Sequence, residues 1–238
     1  MTMEDAKVAQ WKKGRAKGVI RKVRAPQVGA EDFGDDEIVD GRQEHPGRRM
    51  TEEEFLAWIG AKTRAEWVDG EVILLPDVDF EQDQLQGWFL RLIGFFVEGH
   101  DLGKITSSRF FVRMAGPRSR RLPDICFMQK SREHLFGYGH FEGPPDLIVE
   151  VVSPDAAERD YVEKFKQYEA AGVREYWIVD PLIQRMEMHE LAKGAYRAIP
   201  LKGVSLHSKV LKGLWVKPEW LWKRPLPKVM AVMKGMGK

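Results

Sequence analysis

Pro145-Asp146-Leu147-Ile148-Val149-Glu150-Val151-Val152-Ser153-Pro154 is the stretch on which the fold turns. Leu147 to Val152 is a short, nearly continuous apolar run, the look of a strand buried on both faces. Downstream, Ala156 to Ala171 has helical spacing and is stopped by Gly172. Glu175 to Val179 then reads as a second buried strand, ended by Asp180-Pro181. Short strands are expected near Met186 to Leu191 and Tyr196 to Leu201, and a short helix over Pro218 to Trp222.

Upstream, Thr51-Glu52-Glu53-Glu54 before Phe55, Leu56, Trp58 and Ile59 reads as a capped helix start, with carboxylates in its first turn. Glu66 to Leu75 reads as a hairpin around Asp69-Gly70. Leu85 to Val97 carries large apolar residues at helical spacing. Two strands, Ile105 to Met114 and Arg121 to Met128, are expected to flank a turn at Gly116-Pro117-Arg118-Ser119. Gly137 to Pro145 reads as a loop. The succession of helix, hairpin, helix, strands, helix and strands predicts an α/β fold: a mixed central sheet flanked by helices.

Three charged residues sit where this pattern expects apolar ones. Glu150 shares a strand face with Ile148 and Val152, and Asp124 interrupts Leu122-Pro123-Asp124-Ile125-Cys126-Phe127. Pro123 suggests that this strand starts there or runs along a sheet edge. Lys164 falls on the stripe formed by Ala157, Tyr161, Phe165 and Tyr168, with Asp160 one turn before it. A carboxylate buried in such a run costs several kcal/mol, roughly, unless paired or bound to a cation. Two readings stay open from the residues alone. One is a buried salt bridge of Lys164 with Glu150 or Asp160. The other is a site in which two carboxylates hold Mg²⁺, backbone carbonyls and water complete its shell, and the lysine orients water or stabilises charge on phosphorus.

These residues also carry a family resemblance. Pro123-Asp124, the string from Pro145 to Pro154, Asp160, Lys164, Tyr168 and Gly172-Val173-Arg174-Glu175-Tyr176-Trp177-Ile178-Val179-Asp180-Pro181 resemble the Uma-two family of restriction endonucleases, within the PD-(D/E)XK nuclease superfamily. Glu66-Trp67-Val68-Asp69-Gly70-Glu71-Val72 resembles that family's N-terminal hairpin, and the resemblance spans roughly Thr51 to Trp222. It implies a restriction-endonuclease-like core, with Asp124 and Glu150 as metal ligands, the Val151 carbonyl as a further ligand, and Glu66 as an accessory acid. The superfamily signature places a lysine two residues after the glutamate. Here that position is Val152, and the resemblance implies that Lys164 supplies the amine instead. The implied activity is Mg²⁺-dependent hydrolysis of DNA phosphodiesters, with Mn²⁺ as the alternative ion and a homodimer by analogy with double-strand cutters. The rival functions are a catalytically inactive nuclease fold that binds nucleic acid or a protein partner, and a structural domain with a buried charge network.

Composition bounds these readings. The 238 residues are 43% hydrophobic, enough for one large domain with tails, and the net charge is only +2. DNA contact must therefore come from a local basic patch. Arg109, Arg113, Arg118, Arg120 and Arg121 form the densest group, either a solvated hairpin or a phosphate-contacting edge. The single Cys126 excludes an internal disulfide and reads as core; with no secretory or membrane-spanning pattern, a cytoplasmic location is expected. The histidines lack metal-ligand spacing and read as surface or loop residues. Ser153 reads as a strand end. The expected division is a charged, disordered tail over 1–50, the nuclease-like domain over 51–222 and a flexible basic tail over 223–238.

Overall fold

A computed structural model describes residues 49–60, 63–116, 118–154 and 157–236. The expected N-terminal tail, with His45, lies outside these residues apart from positions 49 and 50. Among them the chain forms α1 (Glu52–Trp58), β1 (Ala65–Val68), β2 (Glu71–Leu74), α2 (Phe80–Gly99), β3 (Gly103–Ser107), β4 (Phe111–Ala115), β5 (Arg118–Arg121) and β6 (Ile125–Gln129). There follow β7 (Phe136–Gly137), β8 (His140–Glu142), β9 (Leu147–Val151), α3 (Lys164–Ala171), β10 (Glu175–Asp180), β11 (Arg185–Ala192), β12 (Ala195–Ala198), β13 (Leu206–His207), β14 (Trp215–Val216) and α4 (Val229–Gly235). The central mixed sheet runs β12-β11-β10-β9-β6-β3, and a second runs β2-β1-β5-β4-β8-β7. β9 and β10 are parallel; β6 pairs antiparallel to β9.

Local chemistry explains the elements that frame the central sheet. Thr51 and Glu54 form a complete capping box on α1. Asp69 and Gly70 turn the first hairpin with φ of 45° and 97°, the positive values that a primed two-residue turn requires. Asp79 caps α2 by accepting the Gln82 N–H at 2.8 Å. The buried stripe of α2 (Leu85, Trp88, Phe89, Leu92, Ile93, Phe96) packs on Val149, Val151, Trp177 and Val179 of the central sheet. Ile148, Val152, Tyr176 and Ile178 face the other way, against Tyr161 and Tyr168. The alternation along β9 therefore turns Glu150 to the Tyr168 side, within a strand that is buried at every position.

Several expectations need correction. The two long strands over 105–114 and 121–128 are each broken, and their halves join different sheets: β3 and β6 the central one, β4 and β5 the second. Pro123 lacks a ladder N–H at the second break, and β6 begins just after Asp124, in the sheet interior rather than at its edge. The expected loop over 137–145 contributes β7 and β8. The C-terminal tail is not loose: α4 buries Val229 and Val232 against the α2 core, and Pro227 accepts the Trp88 indole N–H at 2.8 Å. Val229, Val232, Met233 and Met236 have helical spacing that the surrounding Lys, Pro and Gly obscured. His189 is buried on β11 and paired with Glu187 at 2.8 Å, not a surface or loop residue. No helix among the described residues is long and apolar enough to cross a membrane.

Candidate active site

Asp124, Glu150, Val151 and Lys164 line one cleft where β6 begins and β9 ends, together with Gln82, Ser153, Arg159 and Asp160. Asp124 is the residue just before β6. Its Oδ2 accepts the Val151 N–H at 2.8 Å, which fixes the carboxylate against the neighbouring strand. The Val151 carbonyl accepts from Gln82 Nε2 at 3.0 Å, so one residue of β9 is tied both to Asp124 at the start of β6 and to α2. Glu150 Oε1 accepts from the Tyr168 hydroxyl at 2.8 Å and lies 2.9 Å from Lys164 Nζ. Lys164 Nζ is also 2.9 Å from Asp160 Oδ1, and its side chain is only 6% exposed. The inward lysine and its Asp160 pair thus stand as the spacing predicted.

The helix that carries Lys164 is not regular before it. Residues Arg159–Glu163 form a π-helical turn, with the Lys164 N–H donating to the Arg159 carbonyl. Such widened turns recur at functional sites. Here the turn leaves both Asp160 and Lys164 buried, and the Asp160 carbonyl accepts from the Tyr176 hydroxyl at 3.0 Å.

Glu66 sits behind the cleft rather than on its wall. It is fully buried on β1; its Oε2 accepts from Arg121 Nη1 at 2.6 Å and its Oε1 from the Leu122 N–H at 2.9 Å. Arg121 Nε donates to Gln167 Oε1 at 2.7 Å. Neither reading of the basic group fits Arg121, which is buried and spent inside the protein. Arg113 and Arg120 are likewise engaged, both with Glu52. Gln82, Arg121, Gln167 and Tyr168 complete the site; sequence reasoning gave weight to Tyr168, read Arg121 only as part of the basic group, and passed over the two glutamines. A signal existed for two of them: Gln82 falls on the stripe of Leu85 and Phe89, and Gln167 lies one turn after Lys164.

The electrostatics separate the acids. Burial pushes Glu150 up to about 8; Lys164 opposes the rise and the Asp124 charge adds to it. Burial also pushes Asp124 up to about 6, against Lys164 and the Val151 N–H. Burial raises Glu66 too, but Arg121, Lys164 and the Leu122 N–H overcome it and hold the carboxyl at about 2. Lys164 is desolvated yet its pKa rises, because Asp160, Glu150, Glu66 and Asp124 all favour its charge. Four carboxylates thus act on Lys164, and among the described residues the fully buried cations beside them are Lys164 and Arg121, with the half-buried Arg159 and Arg64 on the cleft wall. Within the fully buried set, with every group ionised, acids outnumber cations by two, an excess that suits a divalent cation. The oxygen donors also suit a hard cation. Among the described residues no cluster of three or more His, Cys, Asp or Glu side chains could hold a metal, so a cation here would lean on the Val151 carbonyl and on water.

Cys126 is a buried free thiol whose pKa burial raises, consistent with a core role. Ser153 ends β9 and also lines the cleft.

A family model named Uma2 and described as "Putative restriction endonuclease" matches residues 52–219, a span that contains every residue of the cleft. The chain is also similar to a solved structure titled "Crystal structure of a putative nuclease belonging to DUF820 from Anabaena variabilis ATCC 29413". The TM-score is 0.62 at 17% identity, over 73% of this chain and 97% of that one, which shows a shared fold. No curated protein matches. The expected restriction-endonuclease-like α/β fold therefore holds, a nuclease function is supported, and the chain belongs to the Uma2 family of restriction endonucleases.

Proposed function

We propose that this protein is a Mg²⁺-dependent endonuclease that hydrolyses DNA phosphodiesters, with Asp124, Glu150 and the Val151 carbonyl as metal ligands. The observation that carries the reading is the gathering of Asp124, Glu150 and Val151 with Lys164 in one cleft, where burial first of all raises the pKa of both acids. Families of this kind generally use divalent metals. A bound Mg²⁺ would supply positive charge to a phosphoryl oxygen and a more acidic water. Mn²⁺ presents the same preference for oxygen donors and is the natural substitute.

The chain's own residues do the positioning. The Val151 N–H fixes the Asp124 carboxylate, and Gln82 fixes the Val151 carbonyl, so two of the ligand groups are positioned through one residue of β9. Tyr168 orients Glu150 from behind. Lys164 stays cationic, braced by Glu150 and Asp160, and can hold the attacking water or the charge that develops on phosphorus. Glu66 acts at one remove: it holds Arg121, and its charge favours the Lys164 ammonium.

The test is nicking of supercoiled plasmid in Mg²⁺ by the wild type, Asp124→Asn and Lys164→Met. The asparagine variant is expected to be inactive, and the methionine variant slower by about 10²–10³-fold. Equal cleavage by wild type and Asp124→Asn removes the site assignment. Binding of DNA by the wild type without Mg²⁺-dependent cleavage makes the protein an inactive nuclease fold.

A further inference from the structure

We infer that Arg159, with Arg64 on the wall of the same cleft, forms an anion subsite for a phosphodiester group of the substrate strand, beside the acids and Lys164. The inference deepens the nuclease reading and rests on it for the identity of the strand.

Arg159 belongs to the widened turn that precedes Lys164, and it lines the cleft shared with Asp124, Glu150 and Asp160. Its Nε is buried and has no hydrogen-bond partner among the described residues. A buried guanidinium N–H without an acceptor costs stability and is uncommon in native proteins. An acid stood ready to receive it: Asp160, the next residue, also lines the cleft and pairs with Lys164 instead. The donor is thus held in the site without a use in the folded protein. A planar fork of N–H groups matches phosphate oxygens better than a point charge does.

Arg64 comes from a different element. It precedes β1, and its Nη1 donates to the Pro76 carbonyl at 3.1 Å, which ties the guanidinium to the cleft wall. Arg64 and Leu122 also line an adjoining groove with Thr63, Ser108 and Arg109. The two hollows therefore meet at Arg64, and the path from Arg159 past Arg64 leads to a third arginine. A single backbone with a charge on every nucleotide fits such a path, whereas an isolated phosphate would need only its first station. The crowded acids next to Arg159 would repel a phosphate, so occupancy is expected to require the divalent cation.

Fluorescence anisotropy of the full-length protein with a labelled DNA oligonucleotide, and thermal shift with inorganic phosphate, both in Mg²⁺ at low temperature, test the subsite. Arg159→Gln is expected to weaken oligonucleotide binding at least about tenfold and to lower the slope of log K against log salt by about one. Arg159→Lys should recover part of the affinity, since it restores charge without the fork. Arg64→Gln should weaken the oligonucleotide more than it weakens phosphate. If the Gln variant does not fold, the Lys and Arg64→Gln variants carry the same comparison. Wild-type affinity and salt slope in Arg159→Gln overturn the subsite while leaving the nuclease reading intact. Arg159-dependent binding of phosphate without oligonucleotide binding keeps the anion subsite and sinks the nuclease reading. A wild type that binds neither probe sinks both.

Discussion

Glu66 and Glu150 are buried to nearly the same depth, yet the protein treats them in opposite ways. Glu66 has a guanidinium on one oxygen and a backbone N–H on the other, and its pKa falls to about 2. Glu150 shares one ammonium with Asp160 and has Asp124 for a neighbour, and its pKa climbs to about 8. Burial is common to both, so the partners decide. A carboxylate that folding needs is supplied with its own cation. Glu150, a metal ligand under the function proposed above, shares its cation with a second acid. Glu175 follows neither: Trp177 Nε1 at 2.6 Å and the N–H groups of Lys209 and Val210 at 2.7 Å each latch it with neutral donors, and burial still raises its pKa.

The sharpest way to break this contrast is to remove each acid's support in turn. Arg121→Met strands a buried Glu66 and is expected to cost about 3–5 kcal/mol in urea unfolding. Glu150→Gln should cost far less at neutral pH without metal, because that carboxyl is already largely protonated there. Equal losses would mean that both acids are structural.

Added Mg²⁺ should stabilise the wild type by about 2.7 kcal/mol at one hundred times its Kd, read as a rise in melting temperature. Asp124→Asn should lose that rise, and Arg121→Met should keep it wherever it remains folded.

The pH dependence separates the two acids by sign. Glu66 titrates lower in the folded state than its ordinary 4.5, so its contribution is full above that value and is lost as pH falls toward about 2. Asp124 and Glu150 titrate higher when folded, at about 6 and about 8, against ordinary values of 3.8 and 4.5. They therefore cost the metal-free protein stability progressively as pH rises from about 4 to about 8. Melting curves in a chelator should decline across that window, and Mg²⁺ should flatten them. A chelated protein that gains stability over the same range contradicts the excess of buried acids.

The smallest effect concerns Gln82. Gln82→Ala releases the Val151 carbonyl and is expected to cost about 1 kcal/mol of stability. The accompanying loss of plasmid nicking should be about 10-fold, because a support is lost and the ligands themselves stay. Unchanged nicking would take the Val151 carbonyl out of the ligand set.

The centre of the fold was legible because burial on both faces writes a continuous apolar run, and any charge inside it is conspicuous. That is how Glu150, Asp124 and Lys164 announced themselves, and the resemblance rested on the same string. The supports were harder to see. Arg121 looks like one more cation in a basic stretch, and only the crossing of β5 with β1 and α3 shows that its charge is consumed by Glu66. Gln82 lies 69 residues from the carbonyl it holds. The break at 108–110 was missed because Phe110 and Phe111 keep the composition strand-like, whereas Pro123 did signal a strand start near 122–124; the change of sheet at both depends on neighbours distant in the chain.

The π-helical turn at Arg159–Glu163 has one more consequence. It absorbs an extra residue, and each residue of a regular helix turns the chain by about 100°. Five regular steps would carry Arg159 about 140° round the axis from Lys164, whereas the wide turn closes on this pair as an ordinary turn closes on residues four apart. The arginine and the lysine can therefore face one cleft only while the turn stays wide, so the winding of this segment, as much as its composition, is a condition of the chemistry.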